Sequence, residues 1–150
     1  MASQTDVIYH KGAFVKFTYP YSVLKLYNVL GTQEILRLAS QIKLKAVHFV
    51  STISVFSSAG ESGVKAVGEQ DKLTPGEVLK GAYPQSKWVA EKLIEIGRER
   101  KTPISIYRPG RISGHSQTGA CNSSDSLCRL LAGCVQLGCA ADGDKLMKVR

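Results

Sequence analysis

The sequence predicts an α/β fold built on a parallel sheet. Short apolar runs of strand length alternate with longer segments of helical periodicity, and Gly- or Pro-containing stretches separate them. Hydroxyl residues also follow directly on the middle apolar run, where the carboxyl end of a parallel strand would lie. The order strand, helix, strand, helix, strand, helix implies parallel strands with helices over both faces. A chain of 150 residues is long enough for one core of this kind, and it contains no internal repeat.

Val7-Ile8-Tyr9 is a short β-prone run that breaks into the loop His10-Lys11-Gly12-Ala13. Pro20 opens the next element. From Tyr21 to Gln41 the residues Leu26, Val29, Leu30, Ile35, Leu36, Leu38 and Ala39 recur at helical spacing, predicting one long amphipathic helix. Gly31 lies inside it at a cost of about 1 kcal/mol relative to alanine, which suggests close packing or a nearby ligand. Ala46 to Val50 is a compact apolar run of buried-strand length. Ser57 to Lys80 has no period and is predicted as a loop, of a length that inside a compact domain is usually functional or mobile.

Ala82 to Arg100 is a second helix, with Trp88, Val89, Leu93, Ile94 and Ile96 on its apolar side. Pro84 fits only its first turn, where a missing N–H has no helical partner to lose. Thr102 to Tyr107 is a third strand, ended by Pro109-Gly110, and Leu127 to Leu137 is a third helix.

Composition excludes several classes of function. The formal net charge is +8, but the 20 basic residues are scattered singly, and an acid interrupts the densest stretch, Arg98-Glu99-Arg100-Lys101. That pattern describes solvated surface better than a nucleic-acid patch. No apolar run reaches 18 residues, so no membrane span is predicted. The N-terminus, Met1 to Asp6, lacks the basic and apolar regions of a secretory signal, which predicts a cytoplasmic protein. The cysteines Cys121, Cys128, Cys134 and Cys139 form no C-x-x-C pair and have no histidine at finger spacing, so no metal site is expected and free, buried thiols are. The sequon Asn122-Ser123-Ser124 matters only in a secreted chain.

The chemistry centres on Tyr83-Pro84-Gln85-Ser86-Lys87. Tyr83 and Lys87 are four apart and share one helix face. A free phenol titrates near pH ~10, and an ammonium beside it favours the phenolate. A tyrosine tuned in this way can give a proton to a carbonyl oxygen or take one back. The same spacing also arises where a tyrosine simply packs beside a surface lysine. Ser51 and Thr52 stand at the end of the middle strand, either as ligand-facing hydroxyls or as strand-end caps. Likewise His10 reads as a packing or loop histidine, Asn28 as a backbone-bonding helix residue, Trp88 as core, Ser86 as helix surface, and Arg108-Pro109-Gly110 as a strand-ending turn.

Five stretches taken together are more specific: Pro20-Tyr21-Ser22, Asn28-Val29-Leu30-Gly31-Thr32, Val50-Ser51-Thr52-Ile53-Ser54-Val55-Phe56, Tyr83 through Glu91, and Tyr107-Arg108-Pro109-Gly110-Arg111-Ile112-Ser113-Gly114. In this order and spacing the chain resembles an extended short-chain dehydrogenase/reductase of the thioester reductase type, over roughly residues 6 to 142. Such domains belong to nonribosomal peptide synthetases, carboxylic acid reductases and aminoadipate reductase. The resemblance implies an NADPH-dependent reductase that converts a carrier-bound acyl thioester to an aldehyde or alcohol.

The resemblance also assigns roles. Thr52 would hydrogen-bond the substrate carbonyl, Tyr83 would be the general acid, and Lys87 would tune Tyr83 and hold the nicotinamide ribose. His10 and Ala13 would lie by the adenosine and phosphates, Ser51 and Asn28 beside the site, and Pro109, Gly110, Arg111 and Ile112 by the nicotinamide.

The resemblance starts at the family's fourth strand. It implies that residues 1–142 hold the second half of a Rossmann-like, doubly wound NAD(P)-binding sheet, followed by a divergent tail at 143–150. The sequence has no G-x-x-G-x-x-G phosphate loop, and Lys11-Gly12 stands where the family more often has Asn-Ala. An exposed strand edge at Val7 to Tyr9 is expected in consequence, and with it a chain that is marginal, oligomeric or dependent on a complementing chain; weak or no NADPH binding is expected of this chain alone. The alternatives are a non-catalytic remnant acting as an interaction module and an extended reductase or epimerase acting on nucleotide sugars.

Overall fold

The computed structural model describes residues 2–56, 66–73, 79–142 and 145–148. The chain divides into two units, residues 1–110 and 111–150. The first contains strands β1 (Val7–His10), β2 (Ala46–Val50) and β3 (Ile104–Tyr107) and helices α1 (Tyr21–Leu24), α2 (Gly31–Ser40) and α3 (Ala82–Glu99). The second contains α4 (Ser126–Leu137) and strands β4 (Cys139–Asp142) and β5 (Lys145–Lys148).

In the first unit β1, β2 and β3 form a parallel sheet in that order, with Ile8 opposite Val47, His10 opposite Phe49 and Val50 opposite Tyr107. All three strands therefore end on one rim. The predicted strands stand, except that the first extends through His10, predicted as part of the following loop, and the third begins at Ile104 rather than Thr102. Ile8, Val47, Phe49 and Ile104 bury one sheet face against Ala39 of α2 and Ala90 and Ile94 of α3. Both crossovers thus return over the same face, as right-handed connections must when neighbouring strands follow in chain order. Among the described residues of this unit the helices lie on one face; a reversal in strand order would send one to the other side. On the opposite face Tyr9 stacks on His48 at 4.5 Å, and Tyr107 hydrogen-bonds His48 Nδ1 at 2.7 Å.

The long helix predicted from Tyr21 is interrupted. Lys25–Leu30 forms a π-helical segment between α1 and α2. Such insertions are rare and often accompany functional sites. Its Asn28 and Val29 are buried. A Cβ at Gly31 would meet nothing within 4 Å, so close packing does not explain that glycine. Close packing occurs instead at Gly97, where a Cβ would lie 3.0 Å from Leu36 Cδ2 and 3.1 Å from Ile104 Cδ1. At the end of α2 the chain turns out at Gln41, and Lys45 Nζ donates to the carbonyls of Gln41 and Lys43 at 2.6 and 2.8 Å.

The predicted loop from Ser57 to Lys80 is described only at residues 66–73, 79 and 80, which form neither helix nor strand; the rest lies outside the described residues. Leu73 and Val67 from it join Val55, Phe56 and Trp88 in a second apolar cluster.

In the second unit Asp125 caps α4 by accepting from Leu127 N at 2.8 Å, and Gly138 ends it in the left-handed conformation, φ 64°. β4 and β5 pair as an antiparallel ladder, an element the sequence did not announce for the predicted tail. The buried thiols expected there are not found: Cys121 is exposed and Cys128, Cys134 and Cys139 are half-buried, and α4, which carries Cys128 and Cys134, has no buried residue.

Candidate active site on the carboxyl rim of the sheet

The shared rim collects the exits of all three strands: Lys11 to Ala13 after β1, Ser51 and Thr52 after β2, and Arg108 to Gly110 after β3. The N-terminus of α3 meets the same rim. Gly81, at φ 93°, turns the chain into α3, and Pro84 sits in the first turn as expected. Tyr83 is half-buried, while Ser86 and Lys87 are buried.

Lys87 Nζ donates to the Val50 carbonyl at 2.9 Å and lies 4.4 Å from the centre of the Phe49 ring. Burial depresses this ammonium from the ordinary lysine value to about 8, and Glu91 partly offsets that by favouring the charged form. The expected lowering of the Tyr83 phenol is not found. Burial raises it above the ordinary tyrosine value, and the Lys87 ammonium is directed at Val50. Phe17, from the loop before α1, meets Tyr83 edge-on with centroids 5.3 Å apart.

Thr52 Oγ1 lies 3.0 Å from Ser54 Oγ and accepts from Ser54 N at 3.2 Å, a local hydroxyl turn. The turn is tied to β3: Ser51 N donates to the Tyr107 carbonyl at 2.7 Å and Ile53 N to the Pro109 carbonyl at 3.0 Å. Ser51 Oγ is buried and has no hydrogen-bond partner among the described residues. A buried orphan hydroxyl at the rim is a group suited to a ligand. Gly110 is exposed, and Arg111 and Ile112 belong to the second unit, where both are exposed.

Asn28 is the hub of a network that sequence reasoning did not resolve. Its Oδ1 accepts from Phe14 N at 2.7 Å, and its Nδ2 donates to the Phe14 carbonyl at 3.3 Å and to Ser86 Oγ at 2.9 Å. Ser86 Oγ in turn donates to the Tyr83 carbonyl at 2.8 Å. Thr32 donates its only hydroxyl proton to the Asn28 carbonyl at 2.7 Å, so His10 Nε2, 3.0 Å from Thr32 Oγ1, must be the donor of that pair. Neutral His10 is therefore the Nε2–H tautomer. Burial, and then the Lys87 charge, hold its pKa below the ordinary histidine value. Ala13 is half-buried beside Phe14 in the same loop.

The sequence missed Thr32, Phe14 and Phe17 as parts of this site, and it read Ser86 as surface. Only Thr32 had a signal, since it closes the quoted stretch that begins with Asn28. Glu91 and Arg108 stood within the quoted stretches without a role; Arg108 Nε and Nη2 donate to Glu91 Oε1 at 2.8 and 2.5 Å.

Lys87, Ser51 and Thr52 thus gather where an open α/β sheet binds its ligand, with Tyr83 one helical turn before Lys87; an orphan hydroxyl, an ammonium and a phenol are groups that fit the nicotinamide-ribose end of a dinucleotide. Among the described residues no helix is long and apolar enough to cross a membrane.

Comparison with known proteins agrees with this geometry. A family model described as male sterility protein matches residues 1–148. A linear gramicidin synthase of Brevibacillus parabrevis is 51% identical over 143 residues, covering 95% of this chain and 3% of the synthase chain. The terminal R domain of the myxalamid PKS-NRPS biosynthetic pathway superposes with a TM-score of 0.81 at 46% identity, covering 93% of this chain and 35% of that one. A UDP-glucuronic acid 4-epimerase from Bacillus cereus, solved in complex with NAD, superposes with a TM-score of 0.66 at 25% identity over 89% of this chain and 40% of its own. The chain therefore spans a small part of the gramicidin synthase and about a third of the R domain. Its three-stranded parallel sheet is the Rossmann-like sheet of these reductase domains. The chain belongs to the male sterility protein family, the thioester-reductase type of NAD(P)-binding domain.

Proposed function

We propose that this chain supplies the proton-transfer half of a reductase site that acts on an acyl thioester held by a carrier protein, giving an aldehyde or alcohol with NADPH as reductant in the cytoplasm. The observation that carries the proposal is the bond of Lys87, in the first turns of α3 and one turn after Tyr83, to Val50 at the end of β2, where Ser51 and Thr52 follow. When bound, the nicotinamide supplies the hydride. Ser51 and Lys87 would hold its ribose end. Thr52 and Tyr83 would each donate a hydrogen bond to the carbonyl oxygen as it gains charge, and Tyr83 would deliver the proton to it; the aldehyde would form when that oxygen gives its proton up again, the C–S bond breaks and the carrier thiol leaves protonated. His10, Ala13, Asn28, Pro109, Gly110, Arg111 and Ile112 are proposed around the cofactor, Asn28 acting through Phe14 and Ser86. Residues 1–142 would form the domain and 143–150 a separate end.

The test is turnover of a carrier-bound acyl thioester by a protein containing this chain. Tyr83→Phe is expected to lower it by about 10²- to 10⁴-fold, the usual contribution of a general acid, while cofactor affinity stays within about twofold. Undiminished turnover would remove Tyr83 from the mechanism. The fold shared with the 4-epimerase supports a second substrate class, nucleotide sugars, which the same assay separates by offering them in place of the thioester. A third reading, a non-catalytic interaction module, is favoured by the raised Tyr83 phenol and by the Lys87 ammonium spent on Val50. Cofactor-dependent turnover of either substrate class would exclude it.

A further inference from the structure

Glu91 lies one helical turn beyond Lys87 and two beyond Tyr83, so the three side chains share a face of α3. Its side chain is fully buried, at 0% exposure. Oε1 accepts both bonds from Arg108, whose guanidinium lies 4.9 Å from the centre of the Phe56 ring. Oε2 has no hydrogen-bond partner among the described residues. Burying a carboxylate with one oxygen unpaired is costly unless its charge is used elsewhere.

Two connections run from Glu91 to the site. Arg108 directly follows β3, and the next residue, Pro109, accepts from Ile53 N in the turn that presents Thr52. Glu91 thus ties α3 to the support of the Thr52 turn through one side chain. The second connection is electrostatic. Lys87 donates to a neutral carbonyl, and the charge that favours its ammonium is that of Glu91.

We propose that Glu91 is a positioning residue of the proton-transfer site: through Arg108 it ties the Thr52 turn to α3, and with its own buried charge, one helical turn away, it balances the Lys87 ammonium. It touches no reacting atom. The proposal rests on reading Tyr83 and Lys87 as the proton-transfer pair. The groups that bear on Lys87 are Glu91 from its own helix, His10 from the end of β1, and the Val50 carbonyl and Phe49 ring from β2.

The test is the titration of the Lys87 side chain, followed by NMR in the labelled 150-residue chain. The wild-type midpoint is expected near 8. Glu91→Gln is expected to shift it to lower pH, and Glu91→Asp to leave it close to wild type. If Glu91→Gln, which strands the Arg108 charge, does not fold, the double variant Glu91→Gln/Arg108→Met removes both charges and must show the same downward shift. Separately, Arg108→Lys is expected to move the amide resonances of Thr52 and Ile53 while Lys87 still titrates near its wild-type midpoint. A Lys87 midpoint unmoved in either folded Gln variant, or unmoved Thr52 and Ile53 resonances, would reduce the pair to a packing contact and overturn the proposal. Turnover is not the readout, so this failure is distinct from failure of the Tyr83→Phe test.

Discussion

At the scale of the residue, the site is a set of charges held where water does not reach them. Lys87 is 2% exposed and yet carries a proton at neutral pH. Its folded pKa, about 8, lies below the unfolded 10.5, so between these values the unfolded chain binds more protons than the folded one. Stability then rises with pH across that window, and the burial penalty is complete below it. A slope approaching about 1.4 kcal/mol per pH unit is expected from this group. Urea unfolding at a series of pH values from 8 upward should show it, and Lys87→Met should flatten it. The series should stop short of pH 10, because the raised Tyr83 phenol reverses the sign there: the folded state keeps that proton longer. A slope that survives in Lys87→Met would assign the effect to another group. His10, lowered by burial, acts in the same direction as Lys87 but at lower pH, with stability lost as pH falls below the ordinary value of 6.5.

At the scale of the element, the π-helical segment matters most. It buries Asn28 so that one amide serves the loop before α1 and the N-terminal turns of α3 together. Three elements therefore share one side chain. Asn28→Leu leaves the Phe14 N–H without its acceptor and Ser86 without a donor. A loss of about 1–3 kcal/mol is expected, the cost of buried polar groups left unsatisfied. It is measurable as a lowered urea midpoint at unchanged slope. A neutral substitution would mean that the loop bearing Phe14 and Phe17 is not held through this amide. The helical periodicity of Tyr21 to Gln41 was legible because the apolar positions repeat through the segment. The π register was not, since one extra residue per turn leaves no mark in composition.

At the scale of the whole molecule, the sheet has two edges among the described residues, β1 and β3. The β1 edge carries Val7 and Tyr9 at 44% and 72% exposure, and among the described residues no helix of its own unit packs on the face with Tyr9, His48 and Tyr107. Such an edge is a template for another strand. The chain is expected to associate, with sedimentation and thermal midpoint both dependent on concentration. A monomer with a sharp, concentration-independent transition would contradict this. The shared face of α2 and α3 follows from strands that succeed each other in chain order, and sequence alternation alone could not distinguish that order from a reversed one.

The sequence by itself determined the strand and helix succession, the i,i+4 pairing of Tyr83 with Lys87, and the hydroxyls at the exit of β2, because each depends on spacing along one local segment. Tertiary structure alone decided what those residues do to one another. The Lys87 ammonium bonds Val50 from another element, Asn28 reaches Phe14 and Ser86, Glu91 takes Arg108, and burial raises the phenol that spacing alone would have lowered. Desolvation and long-range hydrogen bonding depend on which segments meet, and no local pattern records that.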